Sequence, residues 1–241
     1  MKSDGDGHAP FWGPVPALVA GLLVVDLFFA IAFVLVEAAG RTFMSLFDLD
    51  SDASLPTWYS SIKLFLIASL VGLYALSRFD RGRPRSWILL AFPIVFLLMS
   101  ADEVVMVHEQ IGRKLDVLLP SGAREESWFR ASGIWMIVIG LPFLFGFFCL
   151  LWMSLPYFEQ TRSALAKLGI GMLLLLLGAL GVETLSNIPD RHSWGMVLQV
   201  LVEEACEMLG ATIMVWGGIE LAAEASAGAP ATGLLRAARR D

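Results

Sequence analysis

Apolar runs of about 20 residues alternate with short polar connections along most of this chain, and a run of that length crosses a bilayer as a helix. Six runs qualify: Trp12 to Ala38, Trp58 to Leu76, Trp87 to Glu109, Gly133 to Met153, Leu168 to Leu185 and Met196 to Ala222. The pattern predicts an all-α fold, a polytopic membrane helix bundle with six transmembrane helices. These form one domain over residues 1–224, followed by a basic, disordered cytoplasmic tail over residues 225–241. The first run is too long for a signal peptide and has no small-residue cleavage site, so it reads as an uncleaved span. No internal repeat emerges.

Short-loop cations set the orientation. Lys2, then Arg78, Arg81, Arg83 and Arg85, then Arg162 and Lys167, then Arg236, Arg239 and Arg240 fall on one side if the spans alternate. The other side holds Arg41, Arg113, Lys114, Arg124, Arg130 and Arg191. That bias predicts both termini in the cytoplasm and a bacterial inner-membrane location. Trp12, Trp58, Trp87, Trp128 and Trp194 lie near span ends, where an aromatic belt forms.

Composition narrows the class. The 241 residues are 57% hydrophobic and 17% charged, with mean hydropathy +0.70, which excludes an ordinary soluble domain and a disordered chain. The net charge of −6 comes with no basic patch interleaved with aromatics, so nucleic acid is not an expected partner. Cys149 and Cys206 sit in apolar segments and read as buried hydrophobes. The expected surroundings are the lipid bilayer, with a lipid-like small molecule or a cation as ligand. The sequence sets no oligomeric state.

The chemistry lies in acids placed where acids are costly, roughly 2.5–3.5 kcal/mol for a central Asp on insertion scales. Asp102, Glu103, His108 and Glu109 end the third span, Glu183 lies late in the fifth, and Glu203, Glu204 and Glu207 lie in the sixth. At 1.5 Å per residue, Asp102 and Glu103 come about 24 Å along a span entered from inside. Glu183 reaches a similar height, and Glu203 to Glu207 lie roughly 10–16 Å in from outside. All three sets therefore fall in the outer half of the bilayer. At 100° per residue Glu203, Glu204 and Glu207 share about 100° of arc, with Gln199 bordering it. On a continuous third helix, Asp102, Glu103, Glu109 and Gln110 cover about 120°, and His108 points roughly 100° away.

Converging carboxylates must share protons or hold a cation. Carboxylates with an amide and one His suit a divalent metal ion of the Fe, Mn, Ca or Mg kind, ahead of structural Zn. A di-iron site normally uses Glu-x-x-His on two helices, and this chain has no such motif; its histidines are His8, His108 and His192. Bland readings stand beside these: a water-filled vestibule for the acids, a solvated Glu109, an interfacial His108 bonded to backbone. Asp26 either joins the site or pairs elsewhere. Asp48, Asp50 and Asp52 read as solvated loop acids rather than a Ca²⁺ loop.

Phe47-Asp-Leu-Asp with Pro56-Thr-Trp-Tyr-Ser-Ser, Ser100-Ala-Asp-Glu with His108-Glu, Gly181-Val-Glu, and Glu203-Glu with Glu207-Met-Leu-Gly resemble an uncharacterised family of bacterial six-span integral membrane proteins. The likeness implies six spans and no activity. Ceramidase-like membrane hydrolases are similar in burying polar residues among several spans, but their zinc site needs several histidines, and this chain brings one His to the three acid sets.

Three functions fit these residues. One is a metal-dependent membrane enzyme acting on a lipid-like substrate. The second is a cation- or proton-coupled transporter using the same acids, and the third a structural or assembly protein in which they are hydrogen-bonding glue. Broken helices and repeat symmetry mark transporters, and neither is evident in the sequence.

Overall fold

A computed structural model describes residues 13–40, 45–51, 53–83, 86–119, 127–129, 132–158, 161–188 and 193–228. His8, Trp12, Asp52, His192 and the basic stretch 229–241 lie outside them, as do Lys2, Arg41, Arg85, Arg124, Arg130 and Arg191. Every regular element among the described residues is helical: α1 (Ala17–Ala38), α2 (Leu55–Arg78), α3 (Trp87–Val105), α4 (Val107–Leu115), α5 (Leu141–Ser154), α6 (Arg162–Leu176), α7 (Glu183–Leu185) and α8 (Trp194–Gly228). A π-helical turn, Met136–Gly140, leads into α5, and another, Leu177–Val182, joins α6 to α7.

Five helical stretches are long and apolar enough to cross a membrane: Ala17–Ala38, Leu55–Arg78, Trp87–Val105, Met136–Tyr157 and Arg162–Leu185. Val24, Leu27, Leu35, Leu73, Leu98, Phe145 and Trp152 are all exposed on them. A soluble protein rarely shows so much contiguous apolar surface, whereas lipid accepts it. Trp58, Trp87 and Trp194 also point outward near helix starts, and Trp128 is exposed.

The sixth expected span is α8, and it differs from the others. Its 35 residues extend about 52 Å at 1.5 Å per residue, and it carries Glu203, Glu204, Glu207, Glu220 and Glu224. It packs against α1, α2 and α6. The α6 contact is set by small residues at seven-residue intervals on antiparallel helices. A Cβ on Gly217 would lie 2.7 Å from the Ala164 carbonyl oxygen. Cβ atoms on Gly171 and Gly210 would each lie 2.5 Å from the other's carbonyl oxygen, and one on Gly178 would lie 2.7 Å from that of Glu203. Only glycine lets two backbones come this close, and close approach is the main source of packing energy between helices in lipid. On the other side, α2 and α3 are joined by a reciprocal serine pair. Ser61 Oγ donates to the Ser100 carbonyl and Ser100 Oγ to the Ser61 carbonyl, each at 2.8 Å.

Two lysines among the described residues are buried, and both are paired. Lys63 Nζ donates to Asp26 Oδ1 and to the Met208 carbonyl, both at 2.9 Å. Tyr59 donates to Asp26 Oδ1 at 2.9 Å and Thr212 to Asp26 Oδ2 at 2.7 Å. Asp26 thus finds its partners outside the acid sets and fastens α1, α2 and α8 together. Lys167, expected in a cytoplasmic loop, is instead fully buried in α6, because that helix begins at Arg162 and turns the side chain inward. It donates to Glu220 Oε1 at 2.8 Å and Ser163 Oγ at 2.6 Å, and it drops out of the loop-charge count.

Substitutions at both kinds of contact have expected outcomes. Gly210→Ala drives a Cβ into the α6 backbone and lowers stability by about 1–3 kcal/mol. Gly21→Ala, where nothing lies within 4 Å, leaves it level or raises it, as thermal melting in detergent will show. Lys63→Met strands the Asp26 carboxylate and costs about 3–5 kcal/mol, most of it regained in Lys63→Met/Asp26→Leu.

Candidate functional site

A cavity of about 390 Å³ lies between α3, α4, α7 and α8. Asp102, Glu103, His108, Glu109, Glu183, Glu203, Glu204 and Glu207 all contribute to its wall, joined by Asp50 and Gln199. Leu64, Met99, Ile139, Phe143 and Leu175 form an apolar side. Three sequence-distant acid sets therefore face one space.

The third predicted helix does not continue to Glu109, and this corrects its face assignment. It stops at Val105 because Met106 adopts φ 55°, ψ 43°, the left-handed region that non-glycine residues avoid. Side chains from both sides of the break hold it. The Asp102 carboxylate accepts the His108 N–H at 3.0 Å, satisfying a free donor at the start of α4. Gln110 Nε2 reaches back to the Val105 carbonyl at 2.7 Å, satisfying a free acceptor at the end of α3. The fold back also brings His108 Nδ1 within 2.5 Å of Asp102 Oδ2 and its ring 4.4 Å from Trp135. His108 therefore faces the cavity, rather than pointing away as an unbroken helix requires. Glu109 does not stack over Asp102; it sits in the first turn of α4, bonded to Arg113 at 2.7 Å.

Glu183 reaches the wall through the second π turn. One extra residue in a turn rotates the downstream helix by about 100°. Gly178, within that turn, lies against the Glu203 carbonyl and the Glu207 side chain. Asn187 is turned elsewhere, donating to Ser132 Oγ and the Thr184 carbonyl, both at 2.9 Å. On α8, Gln199 Nε2 donates to Glu203 Oε2. Glu207 shares the cavity wall with Glu103, Glu183, Glu203 and Glu204. Yet among the described residues no three His, Cys, Asp or Glu side chains are grouped so as to hold a metal ion. The oxygen donors suit a hard cation; their spacing around the wall is not that of a preformed ligand set.

Sequence reasoning left out further wall residues, among them Asp50, Ser186 and Gln199. Asp50 comes from the Asp-x-Asp-x-Asp run read as solvated, and its N–H donates to Asp48 Oδ1 at 3.1 Å. Ser186 follows α7 with no sequence signal of its own. Gln199 had a signal, since it bordered the acid face of α8. Both Ser186 and Gln199 are buried, and among the described residues Ser186 Oγ and Gln199 Oε1 have no hydrogen-bond partner.

The helices and the site define a membrane-embedded helical protein with an acid-walled cavity. The chain matches the family described as a domain of unknown function, DUF8692, over residues 15–220, and belongs to it. No curated protein and no solved structure matches it.

Burial alone would lower the pKa of His108, but its hydrogen bond to Asp102 and the charges of Asp102, Glu109 and Glu103 outweigh that and raise it. A raised folded-state value means the protonated ring stabilises the fold. That contribution is complete below the unfolded His value of about 6.5 and disappears as pH rises through the folded one. The stability gap between the parent and His108→Gln should be widest near pH 6 and shrink in alkali, measured as melting temperature against pH.

Proposed function

We propose that this is a six-span inner-membrane protein with both termini cytoplasmic, and that its cavity binds a divalent cation and a lipid-like substrate on which it acts as an enzyme. The observation that carries the reading is the meeting of acids from α3, α7 and α8 on one cavity wall beside the Asp102–His108 pair. As the sixth span, α8 shields its acids behind α1, α2 and α6, which accounts for so acidic a helix in a bilayer.

Glu103, Glu204 and Glu207 are the proposed metal ligands, brought inward by side-chain rotation, and the ion would supply an activated water. Asp102 orients His108 through Nδ1, which leaves Nε2 to take a proton from a reacting group at the cavity's edge. The apolar wall of Leu64, Met99, Ile139 and Phe143 accommodates a hydrocarbon chain beside the polar end. Cation- or proton-coupled transport through the same acids is the second reading. It draws on the helix break at Met106, a feature common where transporters bind ions.

Elemental analysis of the detergent-purified protein tests the metal. Stoichiometric divalent metal in the parent, absent from Glu103→Ala/Glu204→Ala, supports the enzyme reading. A metal-free parent dialysed against each candidate ion that still binds none moves the balance to proton-coupled transport.

A further inference from the structure

The cavity wall is almost wholly one of hydrogen-bond acceptors. Its carboxylates come from α3, α4, α7, α8 and the loop before α2. Among the described residues no Lys or Arg lines it, and His108 is its one basic side chain. At the end between α7 and α8 two further polar atoms await a partner. Gln199 is 8% exposed and Ser186 7%, and neither Gln199 Oε1 nor Ser186 Oγ is hydrogen-bonded among the described residues. A buried amide oxygen left unbonded is unfavourable, because nothing replaces the hydrogen bond it makes with water. Gln199 cannot turn away without loss, because its Nε2 is committed to Glu203. Both residues line the cavity, and a small side-chain rotation would present either oxygen to a donor that enters there.

We infer that the cavity receives the primary ammonium group of an amphiphile, donating N–H bonds to Gln199 Oε1 and Ser186 Oγ, with its hydrocarbon chain along Met99, Ile139 and Phe143. This rests on the proposed reading of the cavity as a substrate site, but not on the metal. Three features call for that ligand together. The acids favour positive charge, the buried amide oxygen lacks a donor, and the adjoining wall favours apolar contact. An ammonium offers three donors and a charge on one atom. A phosphate headgroup offers neither, and would meet carboxylates without a cationic side chain to offset them. The volume of about 390 Å³ falls in the range of small-molecule sites and far exceeds one ion.

The test uses the full chain in neutral detergent with a chelator present, so that any bound metal is removed. Tetradecylamine, tetradecyltrimethylammonium and tetradecanol are compared by thermal-shift titration. They share a chain and differ in donors and charge; butylamine reports the headgroup without the chain. The primary amine should bind about tenfold more tightly than either long-chain analogue, the scale of one charged hydrogen bond. Butylamine should bind more weakly than tetradecylamine. Gln199→Leu should erase the preference for the amine over the quaternary ion, and Ser186→Ala should reduce it; the three-probe comparison on the parent stands even if a variant does not fold. Equal binding of the quaternary ion or the alcohol, or an unchanged preference in Gln199→Leu, overturns the inference. Metal found in the elemental analysis with no amine preference here sinks the ammonium alone, and the reverse result sinks the metal alone.

Discussion

The close approach of α6 and α8 is the contact on which the rest of the molecule depends. A helix bearing Glu203, Glu204, Glu207, Glu220 and Glu224 has no place facing lipid. It is accommodated because other helices wrap it, and they can do so at short range because Gly171, Gly178, Gly210 and Gly217 remove the side chains that would hold the backbones apart. The seven-residue interval keeps those contacts on one seam down both helices, as knobs-into-holes packing requires. With that seam facing α6, the remaining faces of α8 meet α1 and α2, where Lys63 binds Asp26 and the Met208 carbonyl. Lys167 and Glu220 add a second buried pair further along the seam.

Backbone irregularity shapes the site. Met106 stops α3 one residue beyond Val105, and the π turn at Leu177–Val182 shifts the phase of α6 before Glu183. Each deviation places a polar side chain on the cavity that a regular helix would have pointed elsewhere. At Met106 the local strain is offset by two hydrogen bonds across the break, from His108 N–H to Asp102 and from Gln110 to Val105. The same Asp102 carboxylate holds the His108 ring. One residue thus both caps α4 and orients the imidazole.

The acids themselves were legible because an ionisable residue in a long apolar run is conspicuous on insertion cost alone. Rise per residue placed Asp102, Glu183 and Glu204 at similar expected heights, and all three line one cavity. Periodicity failed for His108, Glu109 and Gln110, since it presumed a continuous helix and no local propensity signal marks Met106 as left-handed. Lys63 passed unnoticed for a related reason: one lysine in a serine- and leucine-rich stretch does not disclose that Asp26, far away in sequence, is its partner. Lys167 was misassigned by a boundary drawn a few residues late.

The sequence by itself determined the helical class, the presence of several stretches apolar enough to cross a bilayer and the identity of the acids, because these depend on residue type summed over a window of about 20 positions. Tertiary structure alone decided which of those acids share a cavity, that Asp26 belongs to Lys63 and not to them, and that His108 turns inward. It also decided that Gln199 and Ser186 are left with unmet hydrogen bonds. Such facts depend on which helices touch and where each one breaks. Those are properties of pairs of distant segments, and they have no signature within either segment taken alone.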